Sequence, residues 1–214
     1  MNAIIIGATG ATGKDLLQQI LKDDTFTQVT IFVRKPISIQ HPKLTTHIID
    51  FDEPEAWKHL VTGDVLFSCL GTTLKAAGSQ QAQWKIDYDY QYQFAKAAKD
   101  NAIKHYVLVS STGADSQSRF FYMKMKGALE DAVKTLHFEH LTIFNPPTLI
   151  RKNSDLAGEN IGVKVLQFLN KFGLFASQKP LPTEQLAQAM LLVAKQPNNT
   201  LHFTRKEIDE ILKK

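Results

Sequence analysis

Ala3-Ile4-Ile5-Ile6-Gly7-Ala8-Thr9-Gly10-Ala11-Thr12-Gly13 stands near the start of the chain, and its reading decides the fold. A short β-branched run ends in glycines. From Lys14 to Lys22, Leu16, Leu17, Ile20 and Leu21 then recur at helical spacing. Glycines permit a tight strand-to-helix turn and let backbone N–H groups approach an anion, which the helix N-terminus favours. The spacing is G-x-x-G-x-x-G rather than G-x-G-x-x-G. A Walker A loop fails, because Asp15 follows Gly13-Lys14. A nucleophile elbow fails at Val109-Ser110-Ser111-Thr112-Gly113. The bland alternative is a glycine-rich turn without a ligand.

Outward from this turn, strand and helix alternate. Val29–Val33, His47–Ile49, Asp64–Ser68, His105–Ser110 and Leu141–Phe144 read as strands. Pro54 opens a short helix that ends near Leu60, Gln80–Asn101 is a long helix, and Arg119–Leu136 is another. The strands are short apolar runs with little alternation, as when both faces are covered. The expected class is α/β, a doubly wound parallel sheet of Rossmann type with a small C-terminal helical cap. One domain spans residues 1–214: a nucleotide-binding core over 1–145, then a cap and sheet edge over 146–214. After Pro146-Pro147 come a polar loop (Arg151–Glu159) and an amphipathic stretch (Ile161–Phe172). A helix follows that is capped at Pro180–Glu184 and runs to about Lys195. Thr204 caps a last helix with Asp209–Lys213 and Glu210–Lys214 pairs at i,i+4.

Composition narrows the function classes. The 214 residues are 43% hydrophobic and 21% charged, with a net charge of +4, which suits a globular protein with its own core. Only Arg34, Arg119, Arg151 and Arg205 supply guanidinium groups, so a nucleic-acid footprint is not indicated. A lone Cys69 excludes an intramolecular disulfide and a cysteine-rich zinc site, and fits a reducing compartment. No basic n-region precedes the apolar run that stops at Gly7, and no window suggests a membrane span. The expectation is a cytoplasmic protein without membrane or nucleic-acid partners. His137 and His140 flank Glu139 at metal-like spacing but lack further ligands in sequence, so no metal is expected.

A dinucleotide is the natural ligand of such a glycine turn. NAD-binding chains place an acid about 20 residues on, at the end of the second strand. Here Val33-Arg34-Lys35-Pro36 stands there. Arg34 can fork onto a 2′-phosphate, with Lys35 as a second cation, which favours NADP(H) over NAD(H). Asp50-Phe51 can meet the adenine. The small residues of Ser68-Cys69-Leu70-Gly71-Thr72-Thr73 let the cofactor lie close. Cys69 reads as packing rather than as a nucleophile.

The second chemical signal is Ser110-Ser111 followed by Tyr122-Met123-Lys124-Met125-Lys126. Tyr122 and Lys126 share a helix face. A free phenol titrates near about 10 and handles protons poorly at neutral pH, and a nearby ammonium favours the phenolate. A serine hydroxyl can meanwhile hold a substrate oxygen. The bland alternative is a packed tyrosine beside a solvated lysine.

With these motifs the chain resembles the atypical short-chain dehydrogenase/reductases of the NAD(P)-binding, NmrA-like group, in particular the HIV-Tat-interacting-protein type of oxidoreductase. The likeness rests on Gly7–Gly13, the basic end of the second strand, Cys69–Thr73, Ser110–Asp115 and Tyr122–Gly127. It implies Tyr122 as acid–base, Lys126 as holder of the nicotinamide ribose and Ser111 as donor to the substrate oxygen, with Ser110 or Thr112 as alternatives. The implied cofactor set is Gly7, Thr9, Gly10, Ala11, Thr12, Gly13, Arg34, Lys35, Asp50, Phe51, Cys69, Leu70, Gly71, Thr72, Ser110, Tyr122, Lys126 and Pro146.

Two positions depart from the group's pattern. Asp87 stands where many relatives carry Asn, and Asn145-Pro146-Pro147 where many carry Arg-Pro-Gly. The implied activity is NADP(H)-dependent hydride transfer to or from a carbonyl or alcohol carbon of a small molecule. The alternative is an NADP(H)-binding redox sensor that acts on a protein partner. Tyr88, Tyr90, Tyr92 and Phe94 suggest packing or a homodimer face. Phe168, Phe172, Leu174 and Phe175 suggest a small lid or an edge cover.

Overall fold

Alternate residues of the first strand, β1 (Asn2–Ile6), enter opposite cores. Ala3 and Ile5 pack with Leu16, Leu17 and Ile20 of helix α1 (Ala11–Lys22). Ile4 and Ile6 pack on the other side with Phe32, Trp57 and Phe94. From Ala3 to Ile6 the strand is apolar without interruption because the pleat sends successive side chains to two covered faces. The computed structural model describes residues 1–150, 179–197 and 200–213.

The remaining elements follow in order. Strands β2 (Gln28–Val33) and β3 (Leu44–Ile48) precede a short helix α2 (Pro54–Trp57), which continues as a 3-10 turn over Lys58–Leu60. Strand β4 (Val65–Ser68) leads to helices α3 (Leu74–Ala77) and α4 (Gln80–Trp84). A π-helical turn (Lys85–Asp89) then leads into α5 (Tyr90–Asp100). Next come β5 (His105–Val109), α6 (Phe121–Lys134), β6 (His140–Phe144) and β7 (Leu149–Ile150). The C-terminal part supplies β8 (Leu181–Pro182), α7 (Thr183–Lys195), β9 (His202–Phe203) and α8 (Arg205–Ile211).

Seven parallel strands pair in the order β3-β2-β1-β4-β5-β6-β9. The order reverses at β1, between β2 and β4. The crevice beyond the carboxyl ends of these strands is where open α/β sheets hold ligands. The expected Rossmann sheet is thus present.

Some local expectations change. The third strand runs Leu44–Ile48 rather than His47–Ile49. It is a half-exposed edge strand, so its polar Thr45 and Thr46 disguise it. Pro182 precedes α7 without a side-chain cap, and Thr183 instead donates to Asp15 Oδ2 at 2.6 Å. Asp209 pairs backwards with Arg205 at 2.8 Å rather than with Lys213. The capping box at Thr204 and Glu207 is present. The small parallel pair β7–β8 has no sequence signal, being two residues per strand. The Arg151–Glu159 loop, the Ile161–Phe172 stretch, the Phe168–Phe175 aromatics and Lys214 lie outside the described residues.

Candidate functional site

The glycine turn is built of backbone. Gly7 takes a φ of 77°, a region most side chains avoid. A Cβ on it would lie 2.5 Å from the carbonyl of Cys69. A Cβ on Gly13 would lie 2.2 Å from the Gly7 carbonyl oxygen. The turn therefore closes only with glycine at both places. Gly10 N–H donates to Gly7 O at 2.9 Å, and α1 starts without a side-chain cap. Its first-turn N–H groups are left for an anion.

Two cavities meet over this turn. The smaller, about 180 Å³, is walled by Gly7, Thr9 and Gly10, by Phe32, Val33 and Arg34 at the end of β2, and by Phe51, Ile86 and Tyr90. Arg34 is exposed and makes no hydrogen bond or ion pair among the described residues. Phe51 packs on Tyr90 with ring centroids 5.2 Å apart, and Tyr90 donates to Asp52 at 2.9 Å. A bare cation and two rings in one cavity suit the phosphorylated end of an adenosine. The larger cavity, about 740 Å³, shares Gly10, Cys69, Leu70, Gly71 and Thr72 with the first. It adds Ala11, Thr12, Asp87, Ser110, Phe121, Tyr122, Lys126 and Leu149.

The loop after β4 forms the shared wall, and the long helix braces it. The π-helical turn sets Gln83, Asp87 and Gln91 on the buried side. Asp87 Oδ2 accepts the Thr72 N–H at 2.8 Å, and Gln83 donates to the Thr72 carbonyl at 3.0 Å. Gln91 accepts from Ser68 and donates to the Asp87 carbonyl, both at 2.6 Å. Buried polar groups cost little when satisfied in this way. Burial raises the Asp87 carboxyl, and the Lys126 charge opposes it. Burial also pushes the Cys69 thiol up to about 12, so it stays protonated and is no nucleophile at neutral pH.

Tyr122 is 41% exposed at the cleft, whereas Lys126 is buried, one helical turn on. Lys126 Nζ donates to the Val109 carbonyl at 3.1 Å. Ser110 lines the same cleft, and its hydroxyl donates to Glu130. Ser111 points elsewhere: its hydroxyl donates to the Thr112 carbonyl at 3.2 Å, and it is absent from the cleft wall. Thr112 bonds back to Asn145 and Pro146.

The structure thus gathers most of the expected residues and leaves some aside. Gly7, Thr9, Gly10, Ala11, Thr12, Arg34, Phe51, Cys69, Leu70, Gly71, Thr72, Ser110, Tyr122 and Lys126 line the joined cavities. Gly13 serves the turn's closure. Lys35 and Pro146 are not on either wall. Asp50 spends its carboxylate on the Asp52 N–H at 2.9 Å. Ser110, not Ser111, faces Tyr122's cleft. Ile86, Tyr90, Gln83 and Asp87 also belong to the walls or their bracing. Only the helical spacing of 83, 87 and 91 could have signalled the buried polar face. Of the aromatic cluster, Phe94 stacks on Trp57 in the core, while Tyr88 and Tyr92 stack on the outer side.

Comparison with known proteins agrees with this picture. A family model described as NAD(P)H-binding matches residues 7–197. The Saccharomyces cerevisiae protein FMP52, mitochondrial, is 38% identical over 164 residues, 74% of this chain and 71% of the relative. Protein HTATIP2 of Rattus norvegicus is 33% identical over 195 residues, 89% and 79% of the two chains. The Bordetella bronchiseptica enzyme WbmH, solved in complex with NAD+, shares the fold with a TM-score of 0.74. It is 14% identical and is matched over 98% of this chain and 78% of its own. The yeast relative's mitochondrial name overturns the cytoplasmic expectation, which rested on a lone cysteine and on the lack of a signal peptide or membrane span. Among the described residues no helix is long and apolar enough to cross a membrane.

Proposed function

The chain belongs to the NAD(P)H-binding family, in the NmrA-like, atypical short-chain dehydrogenase/reductase group, and on that premise we propose that it is an NADP(H)-dependent oxidoreductase acting on a carbonyl or alcohol carbon of a small molecule. The carrying observation is that Ser110, Tyr122 and Lys126 share one cleft wall with the cap-free start of α1.

The glycine turn suits the cofactor, since Gly7 and Gly10 line the cavity and α1 opens beside it with no side-chain cap. When bound, NADP(H) supplies or accepts the hydride. The N–H groups of Ala11 and Thr12 would bind the pyrophosphate, Arg34 would bind the 2′-phosphate, and Phe51 and Tyr90 would meet the adenine. Lys126, buried one turn along α6 from Tyr122, would hold the nicotinamide ribose. Tyr122 moves one proton at the substrate oxygen, and Ser110 orients that oxygen.

A panel of carbonyl compounds and quinones, read by loss of NADPH absorbance, tests this reading with Tyr122→Phe alongside. Tyr122→Phe is expected to lower kcat by about a hundredfold or more while NADPH affinity holds. Unchanged turnover removes Tyr122 from its role. A second reading, an NADP(H)-dependent sensor without turnover, is favoured by the buried Asp87 beside Lys126. It predicts cofactor binding with no oxidation across the panel.

A further inference from the structure

Ser110 and Glu130 form a wall one hydrogen bond thick between two cavities. Ser110 lines the cleft of Tyr122 and Lys126. Glu130, buried on α6, lines a second cavity of about 740 Å³ on the far side, together with Asn145, His202 and Thr112. The Ser110 hydroxyl donates to Glu130 Oε1, and Asn145 Nδ2 donates to the same oxygen at 2.7 Å. Asn145 Oδ1 lies 2.9 Å from His202 Nδ1. Glu130 Oε2 has no hydrogen-bond partner among the described residues and sits 3.9 Å from His202 Nδ1. A buried carboxylate is costly to keep without a paired cation. This one is placed so that one oxygen meets the cleft's serine and the other is left for the second cavity.

We propose that Glu130 is the positioning residue and proton store of the cleft, exchanging a proton with Tyr122 through Ser110 and with solvent through the second cavity. The inference rests on the oxidoreductase reading above. In carbonyl reduction the carbonyl carbon would gain the hydride that bound NADPH supplies on becoming NADP+, and its oxygen takes the phenolic proton of Tyr122. Tyr122 regains a proton from the Ser110 hydroxyl, and Ser110 from the Glu130 carboxyl. One hydride and one proton are added to the carbonyl. The step leaves Glu130 without its proton and accepting from Ser110, the hydrogen bond the structure shows, and solvent returns the proton. Alcohol oxidation runs the same steps backwards.

Glu130→Gln keeps an oxygen that can accept from Ser110 and Asn145 but cannot carry the proton. Its kcat is expected to fall by about tenfold or more, with KM and the NADPH dissociation constant within about twofold, inside the scatter of a neutral change. Glu130→Ala should fall as far and be partly restored by added formate, small enough to enter the second cavity. Apart from the steady-state rate, infrared difference spectra on adding NADP+ and product alcohol should show a carboxyl band that Glu130→Gln lacks. A Glu130→Gln enzyme with wild-type kcat and an unchanged infrared difference overturns the proposal, even if Tyr122→Phe is inactive. If the wild type turns over nothing, or Tyr122→Phe matches it, the oxidoreductase reading fails and this proposal with it. Where Glu130→Ala does not fold, Glu130→Gln alone decides.

Discussion

At the glycine turn the cleft is made of backbone; at Tyr122 it is made of side chains. The first region needs the absence of Cβ atoms at Gly7 and Gly13 and free N–H groups at the start of α1. Its parts lie within seven consecutive residues. The second needs Ser110 from the end of β5, Tyr122 and Lys126 from α6, and the Asp87-braced loop after β4. Its parts span more than fifty positions and meet only through the sheet. A backbone site fails by steric intrusion. A side-chain site loses chemistry while keeping its shape.

Substitutions can break that contrast, and the largest effect belongs to the backbone side. Gly13→Val should cost about 3 kcal/mol or more, because its Cβ would overlap the Gly7 carbonyl. Thermal unfolding and cofactor titration read it. Gly10→Ala, whose Cβ would meet the Gly7 carbonyl oxygen at 3.2 Å, should be far milder. If the two behave alike, steric closure is not what the turn requires.

Next in size is a pH effect away from the cleft. His105 opens β5, and burial, aided by His140, holds its imidazole down to about 4. An unfolded histidine titrates near about 6.5. Between these values the unfolded chain binds the proton and the folded one does not. Stability is therefore full above about 6.5, falls as the pH drops towards about 4, and is flat with respect to this group below that. The loss approaches about 3 kcal/mol. His105→Asn should flatten the profile of midpoint temperature against pH over that window. An equally steep profile in the variant would move the acid sensitivity elsewhere.

Smaller still, Arg34→Ala should narrow the preference for NADPH over NADH by roughly tenfold, with NADH affinity little changed. Equal affinities for both cofactors in the wild type would remove the 2′-phosphate assignment. Smallest is Cys69→Ser, expected to leave turnover within about twofold. The thiol is protonated at neutral pH and contributes only bulk to the shared wall.

The glycine turn, the alternation of strands and helices and the Tyr122–Lys126 spacing were legible because each is local. Periodicity and glycine placement act over one turn or one strand. The edge strand β3 starts three residues before its apolar signal, because an edge is half solvated and its polar residues weaken that signal. Asp50 was expected at the adenine, yet its carboxylate closes its own turn on Asp52, an option open to any Asp at a strand end.

The chain by itself determined a parallel nucleotide-binding sheet, its anion cradle and the basic end of β2. These follow from side-chain period, from Cβ sterics and from local charge. Only the tertiary structure decided that Ser110 rather than Ser111 faces the cleft. It alone decided that Asp87 and Gln83 clamp Thr72 from two sides, and that Glu130 stands between two cavities. Neighbouring residues leave a strand end in different directions. Which one meets α6 depends on where sheet pairing sets β5 against that helix, a contact no local pattern encodes.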